Sequence, residues 1–202
     1  MHNKCQPIKK QSQVVNWEQT IKDGVRQGKY TQRQYLFFLL ALGTGLNYDE
    51  LAQIKYEDIE LSTEQINPVG RPKELMYIML DSKRYPRKIR KIIFPDNCRK
   101  MIKELIRENP EDVYLFQSKV LGYQNRPPAY WAPEYIRQFL QRSAKESGIP
   151  TEAFGASMLR KTFGYFQLKY SGWTLRELQR YFEMRSINLL KEYLDISDEE
   201  FD

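Results

Sequence analysis

At 202 residues the chain fits one domain and is long enough to bury a core, and its 41% apolar and 29% charged fractions are those of a globular protein. No apolar run approaches the ~20 residues of a membrane span, so a membrane partner is not expected. The net charge of +6 is uneven: residues 191–202 hold six acids against Lys191, a net −5, which leaves +11 on residues 1–190. A basic body with an acidic tail points to a polyanionic partner.

In chain order, residues 1–15 read as a flexible basic arm. Its polar start, Met1 to Gln13, has no apolar stretch behind it, so no secretory signal is expected. His2, the one histidine, lies in this arm, which leaves no histidine acid–base chemistry for a folded site. Cys5 and Cys98 are far apart and lack metal-ligand spacing. They read as reduced thiols of a cytoplasmic protein, with no metal or cofactor implied.

Asn16 can cap a first helix that ends near Gly28. A second helix starts near Thr31 and runs through Tyr35 to Leu42, apolar on most sides and therefore buried, until Thr44-Gly45 breaks it. A short helix covers Tyr48 to Lys55. Residues 62–74, with Asn67-Pro68, Gly70 and Pro72, read as a loop. Two strands follow, Leu75–Leu80 and Ile89–Phe94, around a basic hairpin tip from Asp81 to Lys88. Asp96 can cap a helix to Glu108, and a strand-like Val113–Phe116 leads into irregular chain over 117–132. Helices are expected near 133–147, 157–170, 174–183 and 186–196. The fold class is mainly α with a small antiparallel sheet (α+β), in one domain over 16–196 with an acidic tail at 197–202.

Three constellations carry possible chemistry. Between Lys83 and Lys103 stand nine basic residues, among them Arg84, Arg87, Lys88 and Arg90, and one acid, Asp96. Alternation puts Lys88, Arg90 and Ile92 on one face and Ile89, Lys91 and Ile93 on the other. Such a hairpin either reaches phosphates or is a solvated edge kept basic against aggregation. Arg160, just inside a helix start beside Leu159 and Phe163, is placed for a bidentate phosphate contact or for a structural carboxylate pair. Tyr193, at helical spacing from Leu189 and Leu190, is either core or a nucleophile. As a nucleophile it needs cations to lower its pKa or to stabilise the attacked phosphate.

These segments, in this order, resemble the tyrosine recombinase (phage integrase) family. Gly43-Thr44-Gly45-Leu46-Asn47-Tyr48-Asp49-Glu50-Leu51 resembles its Thr-Gly-x-Arg-x-x-Glu-Leu box, and Tyr56-Glu57-Asp58-Ile59 the aromatic-x-Asp-Ile that follows. Asp81-Ser82-Lys83 and Arg90 to Pro95 resemble the hairpin with the catalytic lysine. Leu159-Arg160-Lys161-Thr162-Phe163 matches the His-x-Leu-Arg-Lys/His-Thr-Phe box from its third residue on. Tyr193 follows Met184 at the family's interval. The similarity runs from about residue 16 to 196, the catalytic domain without the usual N-terminal core-binding domain, as in the short fimbrial phase-switching invertases.

The resemblance implies roles. Tyr193 would attack the scissile phosphate and form a 3′-phosphotyrosine link, Arg160 would hold the non-bridging oxygens, and Lys83 would protonate the leaving 5′-oxygen. Glu50 stands at the acidic position that orients the family's first arginine. The expected DNA contacts are Arg84, Arg87, Lys88, Arg90, Lys161 and Arg185.

Three of the six active-site positions depart from the pattern. The first arginine is Asn47, the histidine is Ser157 and the His/Trp position is Met184. One guanidinium on a transferring phosphate is worth ~10²–10³ in rate, so the combined loss is on the order of 10⁴ or more. The expectation is a double-stranded-DNA-binding protein of a mobile element, impaired in strand cleavage and accessory or regulatory in site-specific recombination. The alternatives are an active recombinase working through Tyr193, and an interaction domain that keeps the fold without DNA. The resemblance implies that the segment after the nucleophile packs against a neighbouring protomer, self-association on DNA, so Ile196 and Phe201, set among the tail's acids, either dock on a basic partner surface or fray.

Overall fold

The computed structural model describes residues 5–64, 72–82, 88–119, 127–151, 154–155, 157–197 and 200. Among them, eight α-helices and three strands follow in the order α1 Gln11–Arg26, α2 Gln32–Thr44, α3 Tyr48–Ala52, β1 Glu60–Glu64, β2 Lys73–Asp81, β3 Ile89–Ile93, α4 Asp96–Glu108, α5 Pro133–Glu146, α6 Met158–Tyr170, α7 Leu175–Tyr181 and α8 Ile187–Leu194. No helix among the described residues is long and apolar enough to cross a membrane.

Helix α2 is the hub, in contact with α1, α3, α4 and α6. Its sequence explains why: Leu36 to Ala41 are all buried, so the helix needs neighbours on nearly every side. Thr31 starts it through a capping box with Gln34, and Gly45 ends it in the left-handed region at φ 62°. Around it lies the larger apolar cluster, formed by α1, the inner face of the sheet, α4 and α5. A smaller cluster, with Phe163, Leu178, Phe182, Leu190 and Leu194, joins α6, α7 and α8. The chemistry-bearing residues lie where these clusters meet.

The sheet is antiparallel in the order β1-β2-β3, with Leu61 opposite Met76 and Ile78 opposite Ile92. Leu75, Met76 and Ile78 bury the middle strand. Strand β1 lies partly within the expected loop over 62–74. Its sequence, Glu-Leu-Ser-Thr-Glu, is polar because it is an exposed edge held by main-chain pairing to β2. Val113–Phe116 forms no full strand; Tyr114 makes an isolated bridge to Lys55.

Two sequence expectations are corrected near the N-terminus. Helix α1 begins at Gln11, well before Asn16, which sits inside the helix and donates from Nδ2 to the Ser147 carbonyl at 2.8 Å. Residues 5–15 are therefore no loose arm. Ile8 is buried and its N–H donates to Thr162 Oγ1 at 2.9 Å. Lys9 Nζ donates to the Asp195 carbonyl at 2.8 Å and pairs with Glu200 at 3.2 Å. In α4, Asp96 is the first helical residue and makes no side-chain cap; its carboxylate meets Lys73 at 2.6 Å and Arg99 at 3.6 Å.

Candidate functional site

Arg160 is the third residue of α6, flanked by buried Leu159, Lys161 and Phe163. Its Nη1 donates to the Gly45 carbonyl at 2.5 Å and its Nη2 to the Phe182 carbonyl at 3.3 Å, with the guanidinium 4.0 Å above the Phe182 ring. The left-handed Gly45 is what lets the α2 carbonyl turn toward α6. Its carboxylate neighbour among the described residues, Glu50 Oε2, is 3.9 Å away. The guanidinium is thus held by carbonyl dipoles and a ring face, without a close carboxylate pair. Burial pulls its pKa below the ordinary arginine value, against the opposing pull of Tyr193 and Glu50.

Tyr193 reaches the same place from α8, whose Leu190 and Leu194 anchor the helix in the smaller cluster. Its ring lies edge-on to Phe182 at 6.1 Å, and the Lys161 ammonium sits 4.7 Å over it. Burial raises the phenol pKa, while the charge of Arg160 and hydrogen bonds to Ser157 and Arg160 draw it back. Asn47, Tyr48, Arg137, Ser157, Arg160 and Tyr193 line one cavity of about 420 Å³. Four positions singled out in the sequence therefore converge: Asn47, Ser157, Arg160 and Tyr193.

Asn47 has a second duty. Its Oδ1 accepts from the Glu50 N–H at 2.8 Å and the Glu50 carboxylate accepts from the Asn47 N–H at 3.0 Å, a capping box that starts α3. Glu50 also accepts from Arg90 Nη2 at 2.9 Å. Arg90, Arg160, Arg185, Asn47, Glu50 and Glu183 share a second cavity of about 380 Å³. Met184 is not among the residues lining either cavity; it packs, partly buried, on the smaller cluster. Lys83, Arg84 and Arg87 lie outside the described residues. Lys88 is exposed, and its carbonyl accepts from the Ser82 N–H at 2.7 Å at the hairpin base.

Lys161, expected on DNA, is buried: its Nζ donates to the Cys5 carbonyl at 2.6 Å and covers the Tyr193 ring. The reason is the packing of residues 5–9 across α6, which takes the lysine away from the surface. Sequence reasoning missed Tyr48, Arg137 and Cys5. The Cys5 thiol lies 3.8 Å from the Gly155 carbonyl, and burial raises its pKa against the opposing pull of Ser157 and Lys161. No local signal announces a contact across 150 residues. No group of three or more His, Cys, Asp or Glu side chains that could hold a metal ion occurs among the described residues.

A mostly helical domain with a small three-stranded antiparallel sheet, its last helices supplying an arginine and a tyrosine to one cavity, has the fold of a tyrosine recombinase catalytic domain. The chain belongs to the phage integrase family, whose sequence pattern matches residues 11–200. Comparison with curated proteins gives no match.

Among solved structures it is similar to the XerH site-specific recombinase in a pre-cleavage complex with difH substrate, at TM-score 0.67 and 19% identity. That match covers 94% of this chain and 50% of the other. The XerA recombinase aligns at TM-score 0.65 and 16% identity, covering 96% and 62%. The Tn1549 transposon integrase in complex with transposon right-end DNA aligns at 0.59 and 17%, covering 93% and 60%. The chain thus spans between half and two thirds of the length of these structures.

Proposed function

We propose that this chain binds double-stranded DNA and holds a backbone phosphate in the cavity between Arg160 and Tyr193, as an accessory or regulatory factor in site-specific recombination on a mobile element. The observation that carries the reading is the convergence of Arg160, Ser157 and the Tyr193 hydroxyl on that single cavity. A guanidinium and a hydroxyl are donors matched to phosphate oxygens. The +11 charge on residues 1–190 supports a polyanion partner, with affinity chiefly from phosphate contacts. The similarity to recombinase–DNA complexes and to a transposon integrase supports the same partner and setting. The same reading puts the protein in the cytoplasm.

Slow strand cleavage is the second part of the proposal. Asn47 spends its amide oxygen on the α3 cap, Met184 has no donor to offer, and Ser157 cannot act as an imidazole does. With Lys83 as the expected general acid, only part of the six-residue set remains. An active recombinase is the competing reading, favoured by the closeness of the Tyr193 hydroxyl to Arg160. Incubation with a suicide duplex decides between them. The accessory reading expects duplex binding with little or no covalent adduct, whereas an abundant adduct absent from Tyr193→Phe establishes the recombinase. Failure to bind any duplex at low salt removes both.

Self-association on DNA through the C-terminal segment belongs to the same proposal. Ile196 is buried in the chain's own smaller cluster, so it would have to leave that seat to dock on a neighbour. Identical protein–DNA complexes from a chain ending at Leu194 would remove this element.

A further inference from the structure

Arg90 comes from β3, away from the α2–α3 turn where Asn47 stands at the family's first-arginine position, yet it lies against the same carboxylate as Arg160. Strand alternation aims it inward. Ile92, on the same face, is buried, while Ile89, Lys91 and Ile93 on the other face are exposed. Lys91 accordingly meets Glu64 at 2.5 Å on the outer side of the sheet.

The contacts of the two arginines run in parallel. Arg90 Nη2 donates to Glu50 Oε1 at 2.9 Å, and Arg160 Nη1 lies 3.9 Å from Glu50 Oε2. Arg90 Nη1 donates to the Tyr181 carbonyl at 3.3 Å, and Arg160 Nη2 to the next carbonyl, Phe182, at the same distance. Both side chains are about nine-tenths buried, at 10% and 13% exposure. Arg90 Nε, buried in the second cavity's wall, makes no hydrogen bond.

Glu183, 3.7 Å from that Nε, holds a left-handed backbone at φ 56° without being glycine. Such a backbone is strained for any residue but glycine, and it places a carboxylate beside Arg90 where glycine would be the easier choice. Three arginines and two glutamates stand in the described lining, a net +1. The buried arginines and glutamates balance, and the excess positive charge comes from exposed Arg185 at the cavity's rim, where it matches one singly charged phosphodiester.

We propose that the phosphate site extends into the adjoining second cavity, which shares Asn47 and Arg160 with the first, and that Arg90 is its second guanidinium, delivered from β3 and shared through Glu50 with Arg160, where the α2–α3 turn offers only Asn47. The inference rests on the DNA reading above and names a phosphate-binding residue for it. Two guanidinium groups give the two non-bridging oxygens of a phosphodiester a donor each.

The test is the salt dependence of binding to a mixed-sequence duplex, for the full chain and for Arg90→Gln, Arg90→Lys and the surface control Arg26→Gln. The slope of log K against log salt is expected to fall in magnitude by about 0.9 in Arg90→Gln. It is expected to stay unchanged in Arg90→Lys, which keeps the charge, and in Arg26→Gln. A residue that merely props Glu50 would not move that slope.

An Arg90→Gln chain that binds with the wild-type slope overturns the proposal and leaves the DNA reading standing. No duplex binding by the wild type overturns both. Should Arg90→Gln fail to fold, the side-chain N–H resonance of Arg90 in the wild type decides: it shifts on duplex addition if Arg90 meets phosphate, and a fixed resonance overturns the inference.

Discussion

Asp112 is buried at 3% side-chain exposure, with Arg33 Nη2 at 2.7 Å, Lys119 Nζ at 2.5 Å and Gln117 Nε2 at 3.0 Å around its carboxylate. Arg33 is itself 10% exposed, so removing the carboxylate strands a buried guanidinium. Asp112→Ala is expected to destabilise the fold by roughly 3–5 kcal/mol, read from the urea midpoint at unchanged slope. Replacing both partners with apolar groups should restore most of that, which separates the stranded charge from the lost pair. At this scale the sequence is legible where a motif is local. Arg160 and Tyr193 each lie in a short run whose spacing places them on helices, and both arrive at the cavity. Lys161 is one residue from Arg160 and reads as equally available. Its burial is set by residues 5–9, which nothing near Lys161 in the sequence reveals.

Gly45 shows how one turn places an element's chemistry. The residue closes α2 at φ 62°, and a Cβ there would stand 2.2 Å from Phe163 Cδ1. Gly45→Ala combines a left-handed non-glycine backbone with overpacking, an expected loss of roughly 2–5 kcal/mol by urea denaturation. Because the Gly45 carbonyl accepts from Arg160, the same variant should weaken duplex binding beyond what its stability explains. Helices such as α2 and α4 are legible because apolar periodicity and breakers at their ends agree. Strand β1 is not, since Ser62, Thr63 and two glutamates give neither alternation nor apolarity, and its existence depends on β2 lying alongside. The start of α1 is hidden for a related reason. Asn16 has the chemistry of a cap, but its amide is used on the Ser147 carbonyl, and the helix extends back because Val14 finds a buried seat.

Across the whole molecule, the interior holds neutral phenols and a thiol. Burial pushes Tyr181 up to about 12 and Cys98 up to about 12, and raises Tyr48 and Tyr193 above their ordinary value. A group whose folded pKa is raised contributes stability that is fully present below its unfolded value and lost as pH rises through the folded one. Stability is therefore expected to hold to about pH 9, where free thiols begin to ionise, and to fall steeply toward pH 12. Tyr181 alone accounts for roughly 2–3 kcal/mol of that fall. Denaturant midpoints measured across pH 8 to 12 check it; a flat profile would contradict the burial of these groups.

The strap formed by residues 5–9 has a practical consequence. Lys9 clips to the Asp195 carbonyl just past the tyrosine-bearing helix, and the Cys5 carbonyl pins the ammonium that covers the Tyr193 ring. Any outward swing of α8 must undo this seam. Cys98 is fully sealed and Cys5 only half-covered, so alkylation of the native protein becomes a clock for that swing. Whatever loosens the tyrosine should make Cys5 react faster.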